Sequence, residues 1–379
     1  MSRTIIVSNR LPIKISNLDK SFEFSSTSGG LATGMKSIHK KNNFLWIGWP
    51  GIDKKSLGNN LTKAEKLLQK KNYIPVFLKK KEINDFYYGT SNEALWPLFH
   101  YFLEFSIFNK SHWKSYVNVN RKFADSVIKY AKKNDVVWVH DYQLLLCPRM
   151  IKTKRPDLTV GFFLHIPFPS FEIFRIFPWR EELLEGILGS DLIGFHTYDY
   201  VRHFLSSVKR ILRYDVVFNK INVGSREVLV DTFPMGIDYA KYNDAARKKN
   251  KQKKSEMSNL GLQLKDHKKT SSDSKLILSI DRLDYTKGVI NRIKAFEIFL
   301  TNNPEYRGKV RLIMLTVPSR SDVDDYIKLK KQTDEIVGRV NGKFALVNWT
   351  PIWYYYRSMS FDELIDLYTI SDIAMITPV

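Results

Sequence analysis

Residues 276–300 read LILSIDRLDYTKGVINRIKAFEIFL. Residues 276–280 form an apolar run with the length of a buried strand, and residues 291–300 have the spacing of a helix. The turn between them carries Arg282 and Lys287, which would lie at the carboxyl edge of a sheet, where open α/β folds bind ligands. Two cations beside a helix N-terminus suit a diphosphate. An ordinary surface arginine and lysine on a βα turn remain the alternative interpretation.

The same alternation of apolar runs and helical patterns extends over most of the chain. The predicted strands comprise residues 4–8, 44–48, 73–77, 136–140, 160–165, 192–195, 228–233, 276–280, 310–317, 344–347 and 373–377. Near-continuous apolar strands separated by helices are typical of parallel sheets covered on both faces. The sequence therefore predicts an α/β fold with two Rossmann-like doubly wound domains, residues 1–235 and 236–379, facing a cleft. Because the second series has only four predicted strands, we expect the second domain to be incomplete.

Composition excludes several classes of protein. A chain of 379 residues exceeds one compact core, and its 44% hydrophobic and 13% aromatic content excludes a disordered chain. No apolar run is long enough to span a bilayer, and the first strand begins too close to Met1 to leave room for a signal peptide. The single cysteine, Cys147, excludes an intrachain disulfide and indicates a reducing compartment. We therefore expect a cytoplasmic protein without a membrane partner.

The formal net charge of +21 raises nucleic acids, acidic membranes and phosphorylated small molecules as partners. Residues 245–275 contain ten Lys or Arg and three Asp or Glu, so this segment alone contributes a net charge of +7. It is rich in lysine, serine and asparagine with little periodicity, which indicates a basic low-complexity insertion that forms a surface loop. Because no zinc-ligand spacing, RNA-binding signature or recognition-helix pattern accompanies the charge, we expect no nucleic-acid partner.

Polar side chains follow several predicted strands of the first domain. Arg10 comes after the first strand, His140 and Asp141 end the strand at 136–140, and His165 ends the strand at 160–165. A carboxylate at such an edge can accept hydrogen bonds from sugar hydroxyls, and a histidine can donate to a phosphate or a hydroxyl. A histidine with a purely structural hydrogen bond is the alternative interpretation of each lone histidine.

Glycines and aromatic residues add further candidates. Gly29 and Gly30 open a helical pattern, and such a loop lets backbone N–H groups approach an anion, although turn chemistry alone explains most glycines in this position. Tyr87, Tyr88 and Trp96 lie in an aromatic-rich loop and helix start. Aromatic faces beside polar groups suit sugar rings, and a buried aromatic cluster is the alternative.

Residues 318–325 contain an Asp-Val-Asp sequence that resembles a metal-binding pair. Its position predicts the first turn of a helix with Ser321 as N-cap, where acidic residues are favoured by the helix dipole. Arg320, between a strand and this cap, is the better ligand candidate. The histidines lack the spacing of metal ligands and the one cysteine is isolated, so we expect no metal.

Together and in this order, seven motifs resemble those of the trehalose-6-phosphate synthase family, retaining glycosyltransferases with the GT-B fold. They are VSNR at 7–10, WPLFHY at 96–101, WVHDY at 138–142, FLHIPFP at 163–169, DRLDYTKG at 281–288, RVNGK at 339–343 and WTP at 349–351. The resemblance covers nearly the whole chain except the basic segment. It implies transfer of glucose from UDP-glucose to glucose 6-phosphate in trehalose biosynthesis, a pathway linked to the stress response.

The resemblance also implies roles for individual residues. The acceptor, glucose 6-phosphate, would be held by Arg10, Tyr88, Trp96, Asp141 and Arg320. The donor, UDP-glucose, would be held by Gly29, Gly30, His165, Arg282, Lys287 and Phe361, the last through its backbone. Asp141, His165, Arg282 and Lys287 would be the catalytic residues. No metal or other cofactor is implied, and the implied partners are a second copy of the chain or a trehalose-phosphate phosphatase.

The chain departs from the family pattern in two places. The loop after Tyr88 is one residue shorter than usual, which leaves the choice between Tyr87 and Tyr88 open. The family continues after Thr-Pro-Val with an Arg-Asp-Gly-Met-Asn-Leu-Val segment that binds acceptor, diphosphate and ribose, so we expect a C-terminally truncated chain. Two alternatives to the synthase reaction remain: a non-catalytic regulatory or structural subunit that binds glucose 6-phosphate, and a glycogen- or sucrose-type glycosyltransferase on the same fold.

Overall fold

The computed structural model describes residues 3–18, 21–26, 44–251, 258–270, 274–320 and 323–379. The chain divides into two compact units, Met1–Ile237 and Asp238–Val379. Among the described helices, none is both long and apolar enough to cross a membrane.

The first unit is built on a nine-stranded sheet with the order β5-β4-β1-β6-β7-β8-β11-β10-β9. Its strands are β1 (Thr4–Arg10), β4 (Phe44–Trp49), β5 (Tyr73–Pro75), β6 (Val136–His140), β7 (Thr159–Phe163), β8 (Leu192–Phe195), β9 (Val216–Val217), β10 (Lys220–Val223) and β11 (Arg226–Thr232). All neighbours from β5 to β11 pair in parallel, whereas β10 pairs antiparallel with β11 and β9. A separate antiparallel hairpin joins β2 (Ile13–Leu18) to β3 (Ser21–Ser26).

Helices connect the parallel strands of the first unit. The longer ones are α1 (Leu61–Gln69), α2 (Lys110–Tyr130), α3 (Cys147–Lys154), α4 (Arg180–Ile187) and α5 (Tyr198–Ser207). Shorter helical segments are Lys55–Asn60, Lys80–Glu82, Ile83–Leu95, Trp96–Phe99, Leu103–Phe105, Tyr142–Leu144, Phe171–Phe174 and Val208–Leu212. Helix α2 begins where the Asn109 side chain accepts hydrogen bonds from the backbone N–H groups of Ser111 and His112. Its buried residues recur every three or four positions, so one face packs into the core.

The second unit is a four-stranded parallel sheet with the order β14-β13-β12-β15. Its strands are β12 (Lys275–Arg282), β13 (Val310–Val317), β14 (Ile352–Tyr356) and β15 (Ile373–Ala374). Its helices are α6 (Tyr239–Lys251), α7 (Asn259–Thr270), α8 (Val289–Asn302), α9 (Asp324–Phe344) and α10 (Phe361–Ile370), with short turns at Tyr285–Lys287 and Pro304–Tyr306. One core packs α8 and α9 on one face of the sheet, and a second packs α7 and α10 on the other face. This unit is therefore covered on both faces, as the apolar strands predict.

Two predictions about the ends of α9 are wrong. Residues 344–347 do not form a strand: Phe344 ends α9 and is buried with Val337 and Val340 on the same helical face, and the strand of this region is β14. Helix α9 has Val323 as its N-cap, not Ser321, which lies outside the described residues, although Asp324 and Asp325 do occupy the first turn.

The basic segment at 245–275 is not a loop where it is described. Its beginning belongs to α6 and much of its second half to α7. Lys249 on α6 is buried, and its ammonium group donates to the carboxylates of Asp362 (2.5 Å) and Asp366 (3.1 Å) on α10. The lysine-rich composition therefore conceals a helix that is fixed to the core by a buried ion pair.

Candidate active site

The first unit brings four of its predicted residues to one edge of its sheet. Arg10 ends β1, Asp141 follows β6 and His165 follows β7, and these three strands are neighbours in the sheet. Because the strands are parallel, their carboxyl ends meet at the same edge. Trp96 reaches the same region through Tyr142, with ring centroids 5.6 Å apart. Gly29 and Gly30 lie outside the described residues.

Arg10 lies in a row of aromatic rings. Its guanidinium carbon is 4.3 Å from the ring centroid of Trp49, which ends the neighbouring strand β4. Trp49 in turn lies 6.2 Å from Tyr87, and Tyr87 lies 5.2 Å from Tyr88 in an edge-to-face arrangement. Both tyrosines are half-buried in this row, so the choice between them for the acceptor stays open. The arrangement offers a cation and aromatic surfaces to a phosphorylated sugar.

Tyr87 and Tyr88 do not lie in the predicted loop. They belong to the helical segment Ile83–Leu95, which has wide π-type turns. Asn92 fixes this segment, since its amide donates to the Tyr87 carbonyl oxygen at 2.8 Å and its oxygen accepts from the Tyr142 hydroxyl at 2.9 Å. Tyr142 directly follows Asp141 in the chain. The aromatic segment is therefore tied to the end of β6.

Asp141 has an unusual backbone conformation, with φ at 75°. Non-glycine residues rarely adopt positive φ, and such strain of about 1–3 kcal/mol is found most often at functional sites. The carboxylate accepts hydrogen bonds from the backbone N–H groups of Tyr142 at 3.0 Å and His165 at 3.3 Å. These two hydrogen bonds join the end of β6 to the end of β7. They also fix the orientation of the Asp141 carboxylate, which can accept hydrogen bonds from a ligand at the sheet edge.

Three imidazoles cluster at the ends of β6, β7 and β8. His140 Nδ1 and His165 Nε2 share a hydrogen bond of 3.0 Å, and the His165 and His196 ring centroids are 5.7 Å apart. Burial lowers the pKa of His165 to about 4, and burial followed by the charge of His165 lowers the pKa of His140 well below its ordinary value. Both rings are therefore neutral at pH 7, and His165 can offer a neutral imidazole to a ligand.

A cavity of about 330 Å³ opens beside this cluster. Its lining includes Trp138, His140, Phe163, His165, Phe233 and Met235. The walls are apolar except for the two imidazoles. His196 was not among the sequence candidates, and its position after β8 in the residues Phe195-His196 is the signal that could have found it.

The second unit places Arg282 and Lys287 as predicted, at the end of β12 and in the turn before α8. Within the described part of the chain, neither side chain forms a hydrogen bond or an ion pair. Asp284 shapes the turn, because its carboxylate accepts from the Thr286 N–H at 3.0 Å. Gly288 follows with φ at 60° and is the N-cap residue of α8. Two cations without ion pairs to described residues thus flank a turn that leads directly into the N-terminus of α8.

Arg320 differs from these two cations. Its Nη1 donates to Asp284 Oδ2 and to the Tyr326 hydroxyl oxygen, both at 2.6 Å, and its side chain is only 5% exposed. Burial would raise the pKa of the Asp284 carboxyl, but the Arg320 charge and hydrogen bonds from Thr286 and Tyr326 outweigh it and lower this pKa. Arg320 therefore stabilises the turn through an ion pair, and its contact with the acceptor phosphate stays a prediction.

Phe361 is the first residue of α10, where Ser360 forms a capping box with Glu363. The Phe361 ring packs 5.3 Å from Tyr242, and the Lys241 ammonium lies 4.4 Å from its centroid. The described residues contain no group of three or more histidine, cysteine or acidic side chains arranged to hold a metal ion.

Arg292 was not among the sequence candidates; it is 1% exposed and donates to Asp281 near the end of β12. The signal was a basic residue in the apolar stripe of α8, between Val289 and Ile293, where a solvated arginine would not be expected. Cys147 is buried, and burial raises the pKa of its thiol.

Comparison with known proteins gives matches over the whole chain. Residues 2–379 match the model of glycosyltransferase family 20. An alpha,alpha-trehalose-phosphate synthase (UDP-forming) of Candida albicans is 42% identical and aligns with 99% of this chain and 78% of its own length. The 56 kDa subunit of the Saccharomyces cerevisiae enzyme of the same name is also 42% identical, over 98% of this chain and 75% of its own length.

Solved structures agree with these relatives. Trehalose-6-phosphate synthase OtsA is 30% identical with a TM-score of 0.85, over 100% of this chain and 78% of its own. A synthase from Burkholderia xenovorans in complex with glucose-6-phosphate is 28% identical with a TM-score of 0.83, over 100% of this chain and 79% of its own. The predicted fold class and the resemblance are confirmed. The chain belongs to glycosyltransferase family 20, together with the UDP-forming trehalose-phosphate synthases.

Proposed function

We propose that this protein transfers glucose from UDP-glucose to glucose 6-phosphate, forming α,α-trehalose 6-phosphate and UDP with retention of configuration. The observation that carries the proposal is the turn after β12, where Arg282 and Lys287 are free of ion pairs with described residues and precede a helix N-terminus. The membership of family 20 selects the trehalose-phosphate synthase reaction from those that such a turn could serve.

The chemistry needs charge stabilisation more than it needs a nucleophile. The bond between the glucose C1 atom and the β-phosphate oxygen breaks, and negative charge develops on the leaving diphosphate. Preorganised cations lower the barrier of such a step without reorganisation. Arg282 and Lys287 supply this stabilisation, so the reaction proceeds without a metal. The hydroxyl on C1 of glucose 6-phosphate attacks from the face that UDP leaves, and its proton passes to the β-phosphate.

The first unit would bind the sugars. Arg10, with Trp49 and the tyrosines beside it, offers a cation and aromatic surfaces to glucose 6-phosphate. Asp141 offers a fixed carboxylate to sugar hydroxyls, and its two backbone hydrogen bonds keep it oriented. The neutral His165 faces the donor glucose, where an imidazolium would repel the positive charge that develops at C1 in the transition state.

The test is product analysis with the purified chain. UDP-glucose and glucose 6-phosphate are incubated with and without a chelator, UDP release is followed, and the sugar product is identified by NMR. The expected result is a disaccharide phosphate with two α-anomeric protons, formed at a rate that the chelator does not change. Release of UDP without glucose 6-phosphate, or a product from unphosphorylated glucose at the same rate, would contradict the assignment.

Calorimetric titration separates the catalytic function from that of a regulatory subunit. The proposal expects binding of both UDP-glucose and glucose 6-phosphate. Binding of glucose 6-phosphate alone would favour a non-catalytic subunit that senses the acceptor. Fold alone cannot make this distinction, because related folds host unrelated functions.

We also propose a cytoplasmic location and an association with a trehalose-phosphate phosphatase or with further copies of the chain. The S. cerevisiae relative is named as a 56 kDa subunit, which supports an assembly. Affinity purification of the tagged chain from its source, followed by phosphatase assay and light scattering, tests this proposal. A chain that purifies alone as a monomer would contradict it.

A further inference from the structure

Arg292 forms the centre of a buried network beneath the turn after β12. Its side chain is 0% exposed. Nη2 donates to Asp281 Oδ2 at 2.8 Å and to the Lys287 carbonyl oxygen at 3.1 Å, and Nε donates to Thr377 Oγ1 at 3.0 Å. Nη1 donates to Ser279 Oγ. One guanidinium therefore contacts β12, the end of the turn at Lys287 and the segment after β15.

The network fixes the backbone at Lys287. Its carbonyl oxygen accepts from Arg292 and also from Thr377 Oγ1 at 3.3 Å, and Thr377 Oγ1 in turn accepts from Arg292 Nε. The Lys287 N–H donates to the Asp284 carbonyl oxygen at 3.0 Å. Both backbone polar groups of Lys287 are thus held, and the start of its side chain has a defined direction.

The network also neutralises the carboxylate of Asp281, which lies close to the turn proposed to bind the diphosphate. Asp281 lies next to Arg282 in the chain, and its side chain is 17% exposed. Unpaired, this carboxylate would repel a diphosphate bound at the turn. Arg292 pairs with Asp281 from the buried side, so Arg282 and Lys287 do not have to neutralise this carboxylate.

We propose that Arg292 is a positioning residue for donor binding: it orients Lys287 and neutralises Asp281 so that the turn accepts a diphosphate. This inference rests on the proposed function, since it deepens the role of the same turn. Arg292 does not touch the donor, because it is fully buried beneath the turn. Its effect should therefore depend on the phosphates of the ligand and not on its uracil or ribose.

The experiment compares UDP with uridine as ligands in calorimetric titrations of the full chain. Arg292→Met should weaken UDP binding by roughly tenfold or more, the order expected when a charge-assisted hydrogen-bond network is lost. Uridine binding should stay unchanged. Equal weakening of both ligands, or of neither, would overturn the proposal.

A second variant covers the case in which Arg292→Met does not fold. Thr377→Val removes the hydroxyl that links Arg292 to Lys287 and keeps the volume, without leaving a charge unpaired. It should weaken UDP binding less than Arg292→Met and again leave uridine binding unchanged. Unchanged UDP affinity in a folded Thr377→Val protein would contradict the link to Lys287.

Arg311 provides the matched control, since it is another buried arginine of the same unit. It is 3% exposed, its Nε donates to the Thr350 carbonyl oxygen at 2.8 Å, and it lies at the amino end of β13, at the opposite edge of the sheet. Arg311→Met should lower the melting temperature without changing UDP affinity. If it weakens UDP binding as much as Arg292→Met does, the effect is structural and the proposal fails. A wild-type chain that binds no UDP would instead overturn the proposed function, and the role of Arg292 with it.

Discussion

At the scale of single residues, the arginines and lysines of the second unit differ in function according to their partners. Arg320 and Asp284 form a buried ion pair, with side chains 5% and 0% exposed. Arg282 and Lys287 lie on the same turn and form no ion pair with a described residue. Sequence alone makes Arg282, Lys287 and Arg320 equal ligand candidates. A cation after a strand does not reveal whether a buried carboxylate will pair with it in the folded protein.

Arg320→Met should destabilise the second unit by about 3–5 kcal/mol, because it leaves the Asp284 carboxylate buried without its cation. Urea unfolding measures this loss. The matched control is Arg339→Met, which removes an exposed cation from Glu297 while Lys343 still pairs with this carboxylate, and it should cost at most about 1 kcal/mol. Equal, small losses for the two variants would show that Arg320 is available for a ligand instead.

The histidine cluster predicts how stability depends on pH. The pKa of His165 is lowered from 6.5 to about 4, so the unfolded chain binds a proton between these values that the folded chain does not. The free energy of unfolding should therefore fall as the pH is lowered from 7 to 5, by about 2 kcal/mol from His165 alone. His140 and His196 act in the same direction, since their pKa values are also lowered, first by burial.

Urea unfolding at pH 5, 6 and 7 measures this dependence. His165→Gln should reduce this dependence by the share of His165, because glutamine binds no proton in this range, and should leave the shares of His140 and His196. The carboxyls of Asp135 and Asp284, whose pKa values are lowered, lose their stabilising charge only below about pH 4 and do not interfere. The same slope in His165→Gln and wild type would contradict the burial of a neutral His165.

At the scale of elements, two glycines show why residue type matters at one place and not at another. Gly288 has φ at 60°, and a Cβ there would lie 2.3 Å from the Thr377 carbonyl oxygen. Gly338 is inside α9, and a Cβ there would meet nothing within 4 Å. Gly288→Ala should destabilise by more than about 1 kcal/mol, whereas Gly338→Ala should stabilise by about 0.5–1 kcal/mol. Thermal melting of the two variants tests this, and shifts of the same sign would contradict the turn geometry.

Helix α6 supplies a second prediction at this scale. Lys249→Ala should cost about 3–5 kcal/mol, because Asp366 would remain buried without its cation. The neighbouring Lys248 is exposed, so Lys248→Ala should change the free energy of unfolding by less than about 0.5 kcal/mol. Urea unfolding compares the two variants. Similar small effects would mean that the lysine-rich segment is the solvated loop that its composition suggests.

Two segments near the end of α9 differ from the predicted elements. The apolar residues at 344–347 look like a strand, but the buried stripe of α9 continues through Phe344, and Val347 is fully exposed. Strand β14 was not predicted, although its isoleucine, tryptophan and tyrosines are residues that strands favour. At 344–347 tertiary packing decides the element, whereas at β14 the local pattern already indicates a strand.

At the scale of the whole molecule, the order of strands and helices is what the sequence predicts best. Apolar strands such as β6, β8 and β13 have the bounds expected from hydrophobicity alone, and the carboxyl ends of β6 and β13 precede the candidates Asp141 and Arg320. The partners of those candidates could not be predicted, because they come from distant parts of the chain. Thr377 and Lys287 are one example, Asn92 and Tyr142 another.

The most direct test of the account is the turnover number of Lys287→Ala with UDP-glucose and glucose 6-phosphate, beside that of Lys294→Ala on the exposed side of α8. Loss of one preorganised charge at the leaving group should lower kcat by roughly 10²–10³. The melting temperature of Lys287→Ala should stay unchanged, and so should the kcat of the control, Lys294→Ala. Turnover near the wild-type value in a folded Lys287→Ala protein would contradict the claim that this turn stabilises the departing diphosphate.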